Sequence, residues 1–404
     1  MRALACIHVL TILCLGTTVS YAQTTVPVDP LESMPIRLGP IGFNPTLAIT
    51  NFGIDDNIFN EANEPKRDFT MTVTPRLEAR MRGGKMLVSG TVATGLVYYK
   101  KFDEERSVDY LAQGRVDVDL GWFQPYALAS LFDTRDRLNA ELDVRAPRTE
   151  TTVAAGTRLI LSPKTGIVLD VRKTGLEFAE GTFFEGVPLS RTLNSTTQII
   201  EGGVELYLTP LTTLSVTASH QTDRFDESPE RDSDTLKILP SVRMEAPAVV
   251  QGSLAVGYRR FSALDPVIPD YAGVVVKGSL THTVAERTRL ELTLSRDVQY
   301  SFEPTEPYYL ATGFRLVVVQ QLHESIDVRA TAGRDHLDYR EEATSEVPNE
   351  TRTDRARVLG AGFGYRFQPN VRIGIDVEFA KRDSDRIDRQ YDRTRVFASL
   401  TYGF

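Results

Sequence analysis

Apolar and polar side chains alternate with a period of two along most of this chain. Leu290, Leu292 and Leu294 stand against Arg289, Glu291, Thr293 and Ser295, and Val371, Ile373, Ile375, Val377 and Phe379 against Arg372, Asp376 and Glu378. The same split separates Val116, Val118, Leu120 and Trp122 from Arg115, Asp117 and Asp119, and Leu214, Val216 and Ala218 from Ser215, Thr217 and Ser219. In a strand, period two sends successive side chains to opposite faces, so each segment has one hydrocarbon face and one wet face. A β-sandwich alternates too, but its strands usually run about five or six residues. These segments run nearer twelve to sixteen, long enough to cross a bilayer at a tilt and project beyond it. The chain also ends on such a face, with Val396, Ala398, Leu400, Tyr402 and Phe404 at every second position. Exposed to water, that terminus would invite aggregation; as the closing strand of a barrel it meets lipid. The pattern predicts an all-β fold, a transmembrane antiparallel up-and-down β-barrel.

Turn signals set the topology. Short links are expected at Gly83-Gly84-Lys85, Phe123-Gln124-Pro125, Ser162-Pro163-Lys164-Thr165, Thr209-Pro210-Leu211, Ala246-Pro247-Ala248, Ala285-Glu286-Arg287, His323-Glu324-Ser325 and Gln368-Pro369-Asn370. Longer charged connections fall between them, for instance at 61–67, 134–148, 177–191, 226–232, 341–352 and 383–389. Short links suit the periplasmic side and long ones the outer face, which gives about eighteen strands and both termini in the periplasm. Trp122, Tyr126, Tyr207, Tyr365, Tyr402 and Phe404 lie by the short turns, and Tyr98, Tyr110, Phe132, Tyr258, Tyr300 and Tyr308 by the long loops, as two interfacial girdles would. Pro75 and Pro240 fall inside strands, where each removes a ladder donor, so a bulge or a locally opened ladder is expected at both.

The N-terminus adds an address. Met1 and Arg2, the apolar run to Gly16 and Ser20-Tyr21-Ala22 read as a cleaved secretory signal over 1–22. Cys6 and Cys14 lie inside it, so the mature chain has no cysteine and cannot form a disulfide while crossing the periplasm. Residues 23–43, with Pro27, Pro30, Pro35 and Pro40, read as an extended periplasmic arm, and 44–404 as the barrel. No later stretch approaches the roughly 18 apolar residues of a spanning helix. A charged fraction of 25% is compatible with a barrel, because alternation hides the lipid-facing residues among polar ones.

The opening of the barrel carries a resemblance. Arg37-Leu38-Gly39-Pro40, Pro45-Thr46-Leu47, Asp55-Asp56-Asn57-Ile58-Phe59 and Thr74-Pro75-Arg76-Leu77 resemble the start of the β-barrel porin 2 family of Gram-negative outer membranes, and a looser similarity runs on to Phe404. The resemblance implies a porin-like channel in the cell outer membrane. It also implies a link to exopolysaccharide synthesis and export, hence passage of polysaccharide and export components as partners. It supplies no catalytic or binding residues.

By parity the lumen face carries Arg76, Arg80, Arg115, Asp117, Asp119, Arg172, Arg243, Arg289, Glu291, Arg329, Arg372 and Asp376. Cross-strand pairing would keep this wall polar and rigid. The inward set is slightly basic although the whole chain carries −8, so either a weak preference for anionic solutes, acidic saccharides included, or a salt-bridge lattice without selectivity is expected. An inward-folding constriction is best sought at 176–191, where Phe178, Phe183, Phe184 and Val187 are unusually apolar for a solvated loop; an outer cap is the alternative. Enzyme chemistry is not expected. Of the histidines, His323 lies in a turn, His282 faces lipid, and only His336, beside Asp335 and Asp338, is placed to tempt. Asp55-Asp56-Asn57 lacks the alternating spacing of a calcium loop and reads as turn residues. No cofactor, metal or nucleic-acid partner is expected. The expected partners are the bilayer with its lipopolysaccharide and, through the last strand, the barrel-assembly machinery. Two functions stay open, a channel for polar solutes and a docking barrel with an occluded lumen.

Overall fold

The computed structural model describes residues 31, 34–246, 248–342 and 352–403. Eighteen long strands form one closed antiparallel sheet. They are β1 (Ile41–Asp55), β2 (Asp68–Gly83), β3 (Met86–Tyr99), β4 (Ser107–Val118), β5 (Phe123–Thr134), β6 (Arg148–Ser162), β7 (Thr165–Phe178), β8 (Ser195–Thr209) and β9 (Thr212–Phe225). The second half comprises β10 (Ser233–Met244), β11 (Val250–Ala263), β12 (Tyr271–Val284), β13 (Thr288–Tyr300), β14 (Tyr308–His323), β15 (Ile326–Arg340), β16 (Thr353–Gln368), β17 (Val371–Ser384) and β18 (Tyr391–Gly403). Each strand pairs with the next, and β1 closes on β18 with Thr46 opposite Gly403 and Ile54 opposite Val396. Closure leaves no ladder edge to satisfy, which is what an apolar surround demands of a sheet.

The register fixes two faces. Val92, Val153, Leu169, Val171, Ile200, Val216, Leu359 and Ile375 are exposed on one of them, and Arg115, Asp117, Arg172, Glu205, Arg372 and Asp376 occupy the other. Residues 135–147, between β5 and β6, touch Tyr309 and Tyr339 on the charged face of β14 and β15. In a ring of eighteen, those strands stand nine places away on the opposite wall. A contact of that kind runs only through the interior, so the charged face points inward.

Proline marks the two irregularities that the sequence signalled, and asparagine marks a third that it did not. The β2–β3 ladder lapses at Thr74 and Pro75, between the pairs Val73–Leu96 and Arg76–Ala93. The β10–β11 ladder lapses at Leu239 and Pro240, between Ile238–Tyr258 and Ser241–Ala255. A bulge in β1 places Asn51 at φ 53°, a left-handed conformation that asparagine tolerates.

Three expectations change. The short link after β4 is 119–122, so Phe123, Gln124 and Pro125 already belong to β5, where Pro125 is paired only on its β6 side, with Thr157. The first barrel strand begins at Ile41 instead of 44, preceded by a short strand, Ile36–Leu38, that folds back on it through Gly39 (φ 61°). Of the proposed girdle aromatics, Trp122, Tyr365, Tyr98, Tyr110 and Tyr258 are exposed on the outward face. Tyr126 and Tyr207 instead point inward to Asp170 and Glu205, Phe132 and Tyr308 are buried, and the Tyr300 hydroxyl reaches Asp223, 2.9 Å away. Strand propensity put aromatic rings on both faces, and only alternate ones could meet lipid. Phe404 and the proposed signal lie outside the described residues.

Candidate functional site

The interior wall is a lattice of ion pairs. Arg76 bonds Glu78 at 2.8 Å, Arg115 bonds Asp117 at 2.6 Å while stacking 3.9 Å from the Tyr126 ring centre, and Arg289 bonds Glu291 at 2.7 Å. Pairs at i and i+2 along one strand share a face, so the alternation in sequence supplies both partners. Glu205 joins three strands, receiving Arg158 at 2.7 Å, Arg243 at 2.9 Å and the Tyr207 hydroxyl at 3.0 Å. Arg372 reaches Asp327 two strands away at 2.9 Å. Arg172 is 3.6 Å from Asp170. Asp376 shares the face of Arg372, and Arg80 and Arg329 share those of Arg76 and Asp327. Arg80, Lys277, Arg315 and Arg329 have no ion-pair partner among the described residues, and neither do Glu201, Asp335 and Asp376 on the same wall. One expected wall residue is elsewhere: Asp119 sits in the exposed link after β4, where its Oδ1 accepts from the Gly121 amide at 2.9 Å. The strand had ended before its parity could matter.

The lumen is crossed near its long-loop end. Residues 135–147 leave β5, traverse the barrel and return to β6. Asn139 shapes the tip, its Oδ1 accepting from the Glu141 and Leu142 amides at 2.9 and 2.7 Å. Arg382, 1% exposed on the inward face of β17, donates to the Ala140 carbonyl at 2.9 Å and lies 3.3 Å from Asp143, with Asp354 on its other nitrogen. Arg389 adds a second bond to Asp143 at 3.3 Å and donates to the Glu141 carbonyl. Arg137 donates to the Ile58 carbonyl at 2.6 Å. Glu141, 1% exposed, accepts from the Ser301 hydroxyl, and burial pushes its carboxyl up to about 7 despite Arg389, Arg352 and Arg382 nearby.

Other long loops pack onto this crossing. Between β7 and β8, a two-residue hairpin (Phe183–Phe184 with Val187–Pro188) leads into a short helix, α1 (Leu189–Leu193). Phe184 meets Phe302 edge to face at 4.8 Å, and Leu142, Ala146, Phe178, Leu189, Leu193, Phe225 and Phe302 form one buried cluster. Glu185 bonds Arg389 at 2.8 Å and Arg386 at 3.0 Å. Arg231, from the β9–β10 loop, donates to the Ser301 and Glu303 carbonyls at 2.5 and 2.7 Å. The 176–191 segment packs over residues 135–147 and the neighbouring loops, as the alternative of an outer cap expects, and residues 135–147 make the crossing. Their sequence is charged, and the signal that could have found them is Leu138, Leu142 and Val144 set among those charges.

The other suggested chemistry does not assemble. His336 lies on the outward parity of β15, its Nδ1 is without a hydrogen-bond partner among the described residues, and Asp338 is taken by Arg340 at 2.8 Å. His282 is exposed on the outward face with Nδ1 2.7 Å from the Val249 carbonyl. Asp55 is held by Arg393 at 2.9 Å, and Asp56 accepts from the Thr394 amide at 2.6 Å, so both close the barrel seam. At the opposite end Met34 packs against the inward side of Gly42, where an added Cβ would lie 2.7 Å from it.

This architecture has known counterparts. The chain is similar in fold to the Pseudomonas aeruginosa outer-membrane protein OccK2 (OpdF), solved in complex with glucuronate, with a TM-score of 0.51 and 10% identity over 90% of this chain and 98% of that one. It is similar to OpdK of the same organism, with a TM-score of 0.50 and 9% identity over 90% of this chain and 99% of that one. No curated protein matches the sequence. A family model described as "Putative beta-barrel porin 2" matches residues 29–404, nearly the whole chain and the barrel in full, and the chain therefore belongs to that porin family of the outer membrane.

Proposed function

We propose that this barrel is a constricted channel for small polar solutes, acidic saccharides foremost, whose passage is limited by residues 135–147. The observation that carries this reading is the crossing itself, anchored on the far wall by Arg382 and Arg389. A loop so placed divides the outer mouth into narrow paths, which favours solutes of a few sugar units over an extended polymer. The unpaired cations Arg80, Lys277, Arg315 and Arg329 favour anions by raising their local concentration. The glucuronate in OccK2 is an acidic sugar in a barrel of similar fold, which agrees with that solute class. A link to polysaccharide export, implied by the family resemblance, fits this reading if the loop swings aside for the chain.

The same crossing also favours a second reading, a docking barrel whose lumen stays shut. Single-channel recording of the refolded mature chain separates the two. For a constricted channel, the wild type conducts in small steps and replacing 137–144 by a short Gly-Ser link raises conductance several-fold. A silent wild type that opens only on loop replacement supports the docking barrel. Equal conductance of both forms would overturn the role given to the loop.

A further inference from the structure

The outward surface of β15 to β17 carries a row of cations directly above the apolar belt. Arg334 pairs in register with Arg357, and Arg357 with Lys381, so three cations stand side by side on adjacent strands. The row two residues nearer the short turns is Leu316, Ala332, Leu359 and Phe379, of which Leu359 and Phe379 are 60% and 56% exposed. The row beyond it holds His336, Arg355 and Asp383. Arg357 and Lys381 share Asp383, at 3.1 and 3.6 Å, and Lys381 also has Asp392 at 3.5 Å. Arg334 and Arg355 have no ion-pair partner among the described residues. On the β9–β10 part of the rim, by contrast, Arg224 is matched by Asp234 at 2.8 Å.

Like charges set directly opposite one another destabilise a sheet, so this row is no stability device. Neighbouring strands lie about 4.8 Å apart, so the three charges span roughly 10 Å along the line where acyl chains give way to headgroups. We infer that Arg334, Arg357 and Lys381, flanked by Arg355, bind the phosphorylated headgroup of an outer-leaflet glycolipid. Its acyl chains lie on Leu316, Leu359 and Phe379, and its phosphates meet the cation row. Charge complementarity and the continuity of cations with exposed hydrocarbon select a lipid over a free anion, which would gain nothing from the apolar row.

The test titrates the delipidated, refolded barrel with nanodiscs containing a bis-phosphorylated acylated disaccharide, or the same lipid after phosphatase treatment, with bound lipid counted by native mass spectrometry. Wild type is expected to prefer the phosphorylated lipid about tenfold. The triple variant R334Q/R357Q/K381Q should lose that preference, while K173Q/R260Q, which removes outward cations elsewhere, keeps it. If the triple variant does not reach the heat-modifiable barrel form, Arg334→Gln, which breaks no ion pair among the described residues, should still weaken binding about threefold. A triple or single variant that binds as wild type does, equal binding of the dephosphorylated lipid, or full displacement by millimolar inorganic phosphate overturns the assignment.

Discussion

Glu141 shows how one residue sets a condition on the whole mouth. Its carboxyl is buried against Ser301 with Arg352, Arg382 and Arg389 around it, and Tyr309 and Tyr339 face the same space. Docked, it titrates near 7; released to water, it returns to the ordinary 4.5. A carboxyl raised by docking favours the docked state fully below pH 4.5, and that preference drains away as pH rises to about 7. Channel conductance is therefore expected to rise from pH 4.5 to 7, and Glu141→Gln, which cannot ionise, should flatten that slope. An unchanged slope in the variant would place the titrating group elsewhere. Nothing around Glu141 in sequence announces this, since Asn139, Ala140 and Leu142 surround it as they would any loop acid.

At the scale of the strand, the rules that sequence obeys are local and were readable. Pro75 and Pro240 cannot donate, and the ladder lapses at both. The lapse at Pro240 has a partner the sequence did not mark. Gly257 lies across it on β11, and a Cβ there would stand 2.1 Å from the Ile238 carbonyl oxygen. Gly257→Ala should cost about 1–3 kcal/mol, in the range of core overpacking, read as a lower midpoint in thermal unfolding of the detergent-solubilised barrel. An unaffected midpoint would mean β10 and β11 have room to separate further. Loops follow no such local rule. Residues 135–147 and 179–194 are similar in length, yet the first spans the lumen and the second packs over it, because each is held by residues far away in the chain.

The whole molecule decides which charges act. Arg115 and Arg289 look like selectivity residues by parity, but each is tied to a carboxylate two residues on. Reversing them would leave two acids side by side and report mostly on stability. Arg80, Arg315 and Arg329 are held by no carboxylate among the described residues, so R80E/R315E/R329E should move the reversal potential in a salt gradient toward cation preference, by about 10 mV or more on the scale of weakly selective pores. Anion preference that survives the triple change would make the wall a neutral lattice.

Alternation, strand length and turn residues determined the barrel, its eighteen strands and its inward and outward faces, because each depends on backbone geometry within a dozen residues. Closure brought Asp143 to Arg382 and Arg389, Glu141 to Ser301, and Arg334 to Arg357 and Lys381. Those meetings join residues from about twenty to nearly 250 positions apart, and no local pattern encodes a partner at such distance. The fold was therefore written in the period of the chain, whereas the crossing of the lumen and the cation row on its rim belong to the tertiary structure alone.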